Sequence, residues 1–118
     1  MLCWLTALQL RTSGKPTLVD FYATWCGPCV LMANILNETA PELKESVQMV
    51  KIDTDKYPRI ASQYRVEGLP TLVLFSADGR VLDRMEGVVQ GPQLVERIRY
   101  FLAGEADKQE GAAAEGAV

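Results

Sequence analysis

Two cysteines three positions apart, Cys26 and Cys29, stand where one backbone pattern gives way to another. Before them, Thr17-Leu18-Val19-Asp20-Phe21-Tyr22 is a nearly continuous β-prone apolar run, entered through Gly14 and Pro16. Such a run reads as a strand covered on both faces. After them, Cys29, Met32, Ala33, Leu36 and Ala40 recur at helical spacing. Pro28 falls where a first-turn proline is tolerated, and Pro41 is expected to bend or restart the helix, which fades near Glu45. A strand, a tight turn and a helix are therefore forced into immediate succession, with both sulfurs at the joint.

The rest of the chain continues this alternation. Val47 to Ile52 reads as a second strand, and Asp53, Thr54 and Asp55 offer turn and N-cap chemistry for a short helix over Pro58 to Tyr64. Leu69-Pro70 precedes a third strand, Thr71 to Phe75. Ala77-Asp78-Gly79-Arg80 then turns tightly into a fourth, Val81 to Met85. Past Gly87, Gly91 and Pro92 an amphipathic helix buries Leu94, Ile98, Phe101 and Leu102 and is expected to end near Leu102. The order β-α-β-α-β-β-α predicts an α/β fold: a mixed sheet flanked by helices. The 118 residues suit one domain, 1–103. Residues 104–118, Gly-, Ala- and Glu-rich, are expected to form a disordered acidic tail.

Composition narrows the function. The net charge of -3 is carried by residues 104–118, so the folded part is neutral and has no basic footprint for nucleic acid. No stretch is long and apolar enough to span a membrane. Residues 1–10 are apolar but lack the flanks of a signal peptide. There is no histidine, which excludes histidine metal sites and histidine-dependent nucleophiles. Three cysteines are no disulfide framework. With only Cys3 left over, a four-ligand zinc site lacks donors. Cys3 is read as a free thiol without a role.

What remains is thiol chemistry. A helix N-terminus offers unpaired N–H groups and partial positive charge to Cys26, which favour the thiolate nucleophile. Cys26 would attack a substrate disulfide, and Cys29, one turn along, would resolve the mixed disulfide and leave Cys26–Cys29 oxidised. Cys29 must first lose a proton. Asp20, a carboxylate inside an apolar strand, is the candidate base, because desolvation raises its pKa towards neutrality. Lys51 in the neighbouring strand would modulate it by charge.

The run Val19-Asp20-Phe21-Tyr22-Ala23-Thr24-Trp25-Cys26-Gly27-Pro28-Cys29, with Gly68-Leu69-Pro70-Thr71 and the stretch from Asp78-Gly79 to Glu86-Gly87, resembles the thioredoxins. Lys51-Ile52-Asp53-Thr54-Asp55-Lys56-Tyr57-Pro58 and Asp83-Arg84-Met85-Glu86-Gly87 are most similar to the plastid y-type members. The resemblance spans about residues 5–103. It implies a protein-disulfide reductase whose redox group is the disulfide Cys26–Cys29, with no cofactor. Cys26 would attack and Cys29 resolve, with Asp20 as buried acid-base group and Lys51 beside it. Pro70 would be a cis-proline, and Trp25, Gly27, Pro28, Gly68, Leu69, Pro70, Thr71 and Gly87 would form the docking surface. Gly27-Pro28 is the dipeptide of reducing members. The implied partners are a ferredoxin-dependent thioredoxin reductase and disulfide-containing clients such as peroxiredoxins and methionine sulfoxide reductases. The implied setting is a monomer in the chloroplast stroma, with the cytoplasm as alternative.

Two departures from the pattern stand out. Only sixteen residues precede Thr17, enough for the family's first helix (roughly Trp4 to Thr12) but not for its first edge strand, so residues 47–52 are expected to be an open edge. That shortness also supports a second reading, a truncated, non-catalytic binding module. Asn34 stands where the family usually has a helix-kinking proline.

Overall fold

The two central strands of the sheet, Thr17–Tyr22 and Thr71–Phe75, are apolar at almost every position, and the sheet is covered on both faces. The computed structural model describes residues 14–116, with side chains to 107. Cys3 and the helix expected over Trp4–Thr12 lie outside the described residues. The elements are β1 (Thr17–Tyr22), α1 (Gly27–Leu43), β2 (Gln48–Asp53), α2 (Pro58–Gln63), β3 (Thr71–Phe75), β4 (Val81–Glu86) and α3 (Gly91–Gly116). The strand order is β2-β1-β3-β4, with β1 parallel to β2 and antiparallel to β3, and β4 antiparallel to β3. This is the expected mixed sheet. Among the described residues nothing pairs with the outer side of β2.

Strand periodicity sorts the core. Leu18, Leu72, Leu74 and Met85 face one way and pack against Met32, Ile35 and Leu36 of α1 and Leu94 and Ile98 of α3. Val19, Phe21, Val50, Ile52, Val73 and Phe75 face the other way, towards Ile60 and Tyr64. Each such side chain taken from water contributes about 1.5–3 kcal/mol. Arg97 fixes α3 to β4 by donating from Nε and a terminal nitrogen to the two oxygens of Asp83, at 2.9 and 2.7 Å.

Some boundaries differ from the sequence expectation. Pro41 lies inside α1 without ending it, although it cannot donate to the carbonyl four residues back. Thr39 beside it turns its hydroxyl onto the carbonyls of Ile35 and Leu36. Asp53 ends β2, and its Oδ1 accepts from the Asp55 N–H at 2.9 Å, which makes a turn. The residue before α2 is Tyr57 rather than one of the expected capping residues. At the C-terminus α3 passes the expected end at Leu102 and runs to Gly116. Ala, Glu, Lys and Gln are strong helix formers, and each glycine there costs only about 1 kcal/mol. Arg80, beside the β3–β4 turn, holds Glu105 at 2.8 Å.

The β3–β4 turn needs Gly79 at φ 90°, a conformation that a Cβ disfavours. It is closed by the Ser76 N–H to the Arg80 carbonyl at 2.8 Å and by the Ser76 hydroxyl to Asp78.

Candidate functional site

The end of β1 is clamped before the chain turns. The Tyr22 carbonyl accepts from both the N–H and the hydroxyl of Thr54, at 2.9 and 3.2 Å, just past the end of β2. The chain then folds back, with the Cys26 N–H on the Ala23 carbonyl at 3.2 Å. Cys26 is the N-cap of α1, in an extended conformation (φ -87°, ψ 110°). Its Sγ accepts a hydrogen bond from the Cys29 N–H at 3.2 Å. Serine or aspartate oxygen usually takes that role, and here a sulfur does. No acidic side chain lies in the first turn of α1, so the positive helix end is left to the sulfur. A thiolate at Cys26 is stabilised by that donor and by the helix dipole.

Cys26 and Cys29 are disulfide-bonded, with Cα atoms 5.3 Å apart, and are 5% and 4% exposed. They pack with Ala23 against Tyr22 and Leu69. Cys26 opens onto a groove of about 510 Å³ whose walls include Trp25, Pro28, Thr54, Glu67 and Leu69. Gly27 and Gly68 also line it. Trp25 is 72% exposed, and its indole Nε1 donates to Asp55 at 2.9 Å, which orients the ring. The Leu69–Pro70 bond is cis. The Pro70 carbonyl accepts from Gly87 N–H at 2.9 Å, and Gly87 has φ 83°. Thr71 is buried and gives its hydroxyl to the Gly68 carbonyl at 2.6 Å. Pro70, Thr71 and Gly87 are thus joined to the groove through Leu69 and Gly68.

Asp20 sits on the α1 face of β1, beside Lys51 on β2 and Leu72 on β3. It is 2% exposed, and neither carboxyl oxygen has a hydrogen-bond partner. Burial raises its pKa to about 6, against the opposing pull of Lys51. Lys51 does not close on the carboxylate. Its Nζ stands 5.2 Å from the centre of the Tyr22 ring, a cation–π arrangement. A cavity of about 360 Å³ lies under α1, with Asp20, Asn37, Lys44 and Lys51 on its walls. The carboxyl thus has polar surroundings to exchange a proton with. A larger cleft of about 860 Å³ lies at the opposite end of β1, near Pro16, Asp78 and Arg99. It holds neither sulfur nor Asp20.

The structure brings Trp25, Cys26, Gly27, Pro28, Gly68 and Leu69 to one groove and leaves Lys51 outside it. The residues not singled out beforehand are Tyr22, Thr54, Asp55 and Glu67. Period-two parity along β1 carries a signal for Tyr22, since residues 20 and 22 share a face. For Asp55 and Glu67 there is none, because both reach the site from loops. Among the described residues no group of three Cys, Asp or Glu could hold a metal ion, and no helix is long and apolar enough to cross a membrane.

Comparison with known proteins extends this picture. The Thioredoxin family model matches residues 7–100. A thioredoxin-like protein of Synechocystis sp. is 55% identical over 96 residues, which cover 81% of this chain and 90% of that protein. Thioredoxin Y2, chloroplastic, of Arabidopsis thaliana is 58% identical over 93 residues, 79% of this chain and 55% of that one. The chain therefore spans little more than half of the plant protein. The crystal structure of chloroplastic thioredoxin z matches with a TM-score of 0.71 at 34% identity, over 87% of this chain and 98% of that one. Since the family match runs through every strand and carries the sulfur pair with it, the chain belongs to the thioredoxin family, thiol–disulfide oxidoreductases whose redox centre is a disulfide of the protein itself.

Proposed function

We propose that this chain reduces protein disulfides, with Cys26 as the attacking sulfur and Cys29 as the resolving one. The observation that carries the assignment is the Cys29 N–H donated to Cys26 Sγ at the start of α1. It stabilises negative charge on the first sulfur and on no other. In the reduced protein the Cys26 thiolate attacks one sulfur of a client disulfide, and the other client sulfur leaves as a thiolate. Asp20, largely ionised at neutral pH with its pKa at about 6, takes the proton from Cys29. Cys29 then attacks Cys26 Sγ, the client's second thiolate leaves, and two electrons have passed to the client. Lys51 tunes the basicity of Asp20 by charge from its place over Tyr22. Trp25, Gly27, Pro28, Gly68 and Leu69 receive the client segment, and Pro70, Thr71 and Gly87 hold that surface in shape.

The oxidised protein must be returned to the dithiol by a reductase, and we assign this to a ferredoxin-dependent thioredoxin reductase. Peroxiredoxins and methionine sulfoxide reductases are the proposed client classes, and the chloroplast stroma is the proposed compartment. The chloroplastic relatives support the compartment. The protein is expected to work as a monomer, away from membrane and nucleic acid.

Two measurements test the reading. Insulin reduction with dithiothreitol should proceed with the folded protein, and its absence would overturn the activity. Cys29→Ser should trap clients as mixed disulfides through Cys26, and Cys26→Ser should trap none. Equal trapping by both would reverse or dissolve the assigned roles.

A further inference from the structure

The groove at Cys26 has one charged wall. The loop after β1 and the first turns of α1, residues 23–36, contain no ionisable side chain except the two cysteines. Trp25 stands out from this stretch, and Val30 and Leu31 are 62% and 52% exposed. That side of the rim is therefore apolar and neutral. The facing side comes from Val66, Glu67, Gly68 and Leu69, and Glu67 is the one ionisable residue besides Cys26 in the lining. Asp55, nearby, is committed to the Trp25 indole. Glu67 is exposed and makes no hydrogen bond or ion pair among the described residues. Behind it lie Arg65 and Arg84, but Arg84 is held by Glu86 at 3.1 Å and by the Tyr64 and Arg65 carbonyls. The carboxylate is thus available to whatever enters.

We infer that Glu67 is a specificity-determining residue, and that it favours client segments with Lys or Arg within two positions of the target cysteine. This rests on the reductase reading above. A client must place a cysteine sulfur in line with Cys26, which confines its neighbouring residues to the groove. An extended chain advances about 3.3 Å per residue, so a long basic side chain one or two positions away reaches the Glu67 wall. Its apolar neighbours meet Trp25, Val30 and Leu31. An acidic residue in the same place meets like charge. Because the pair is exposed, selection should be modest, about two- to fivefold in kcat/KM at low salt.

The test uses two synthetic disulfide-linked peptides, identical except for Lys or Glu two positions from the attacked cysteine. Each is assayed with the wild type, Glu67→Gln and Glu67→Lys. The wild type should prefer the Lys peptide about two- to fivefold, Glu67→Gln should show no preference, and Glu67→Lys should invert it. The differences should fall in KM and disappear near about 0.5 M salt, where screening reaches only a few ångströms. An unchanged preference across the three proteins, or an equal slowing of both peptides by Glu67→Lys, would overturn the role of Glu67. Failure of the wild type to reduce either peptide would instead overturn the reductase reading, and this inference with it.

Discussion

Asp20→Asn should stabilise this protein, and the amount should depend on pH. In the unfolded chain the carboxyl titrates near 3.8, whereas burial under α1 holds it at about 6. One pKa unit corresponds to about 1.4 kcal/mol, so ionising Asp20 inside the fold costs about 3 kcal/mol. The sign follows from proton binding. Between the two values the folded state holds the proton and the unfolded state does not, so wild-type stability falls as pH rises. The contribution of neutral Asp20 is complete below about pH 3.8 and is lost through about pH 6. Asparagine is almost the same size as the protonated acid and cannot ionise. Its amide is no better partnered than the carboxyl, whose two oxygens are both unpaired, so at low pH the two proteins should match. At about pH 7.5 the variant should be more stable by about 3 kcal/mol. Urea unfolding followed by circular dichroism across this range measures the difference. With a slope of about 1–3 kcal/mol per molar, the midpoint should move up by about 1–3 M at neutral pH. Equal stabilities at all pH values, or a less stable variant at about pH 7.5, would refute the claim that Asp20 is strained by burial.

The same substitution should act oppositely on catalysis. In the wild type the resolving step, followed by stopped-flow release of client from the mixed disulfide, should slow as pH falls through about 6, and in Asp20→Asn it should be slow throughout. Leu94→Ala, at a fully buried position of α3 in the main core, should cost about 2–5 kcal/mol, read as a lowered urea midpoint. Ending the chain at Ala103 removes Glu105 and its bond to Arg80. Such a solvent-screened pair contributes little, so thermal melts should move by a few degrees at most and insulin reduction should not change.

Much of the fold could be read from the chain because its strands are unambiguous. Thr17–Tyr22 and Thr71–Phe75 are apolar almost without a break and each follows a proline, and the expected bounds of both agree with the structure. The C-terminal end of α3 was not legible. Glycines at 104, 111 and 116 and many charges also describe a disordered tail, and composition cannot weigh them against the helix preference of the alanines and glutamates between them. Nor could Glu67 be picked out. In the sequence it is one more polar residue in a loop, and only the approach of that loop to α1 makes it the charged wall of the groove.

Asp20 was legible for the opposite reason, since it breaks the rule that its strand otherwise obeys. A charge in an apolar run is costly unless something requires it, and local rules tend to be broken where function demands it. A structural ion pair with Lys51 would be a benign explanation. The strand register makes the two residues neighbours, yet the ammonium rests over Tyr22 and the carboxyl oxygens are left without partners. A purely structural acid would close on the available cation and be held ionised, with its pKa pulled down. Here the balance falls the other way, with desolvation outweighing the charge of Lys51. A carboxyl held at about 6 by burial is costly to the fold once it ionises. That cost is understandable if the group has a proton to move.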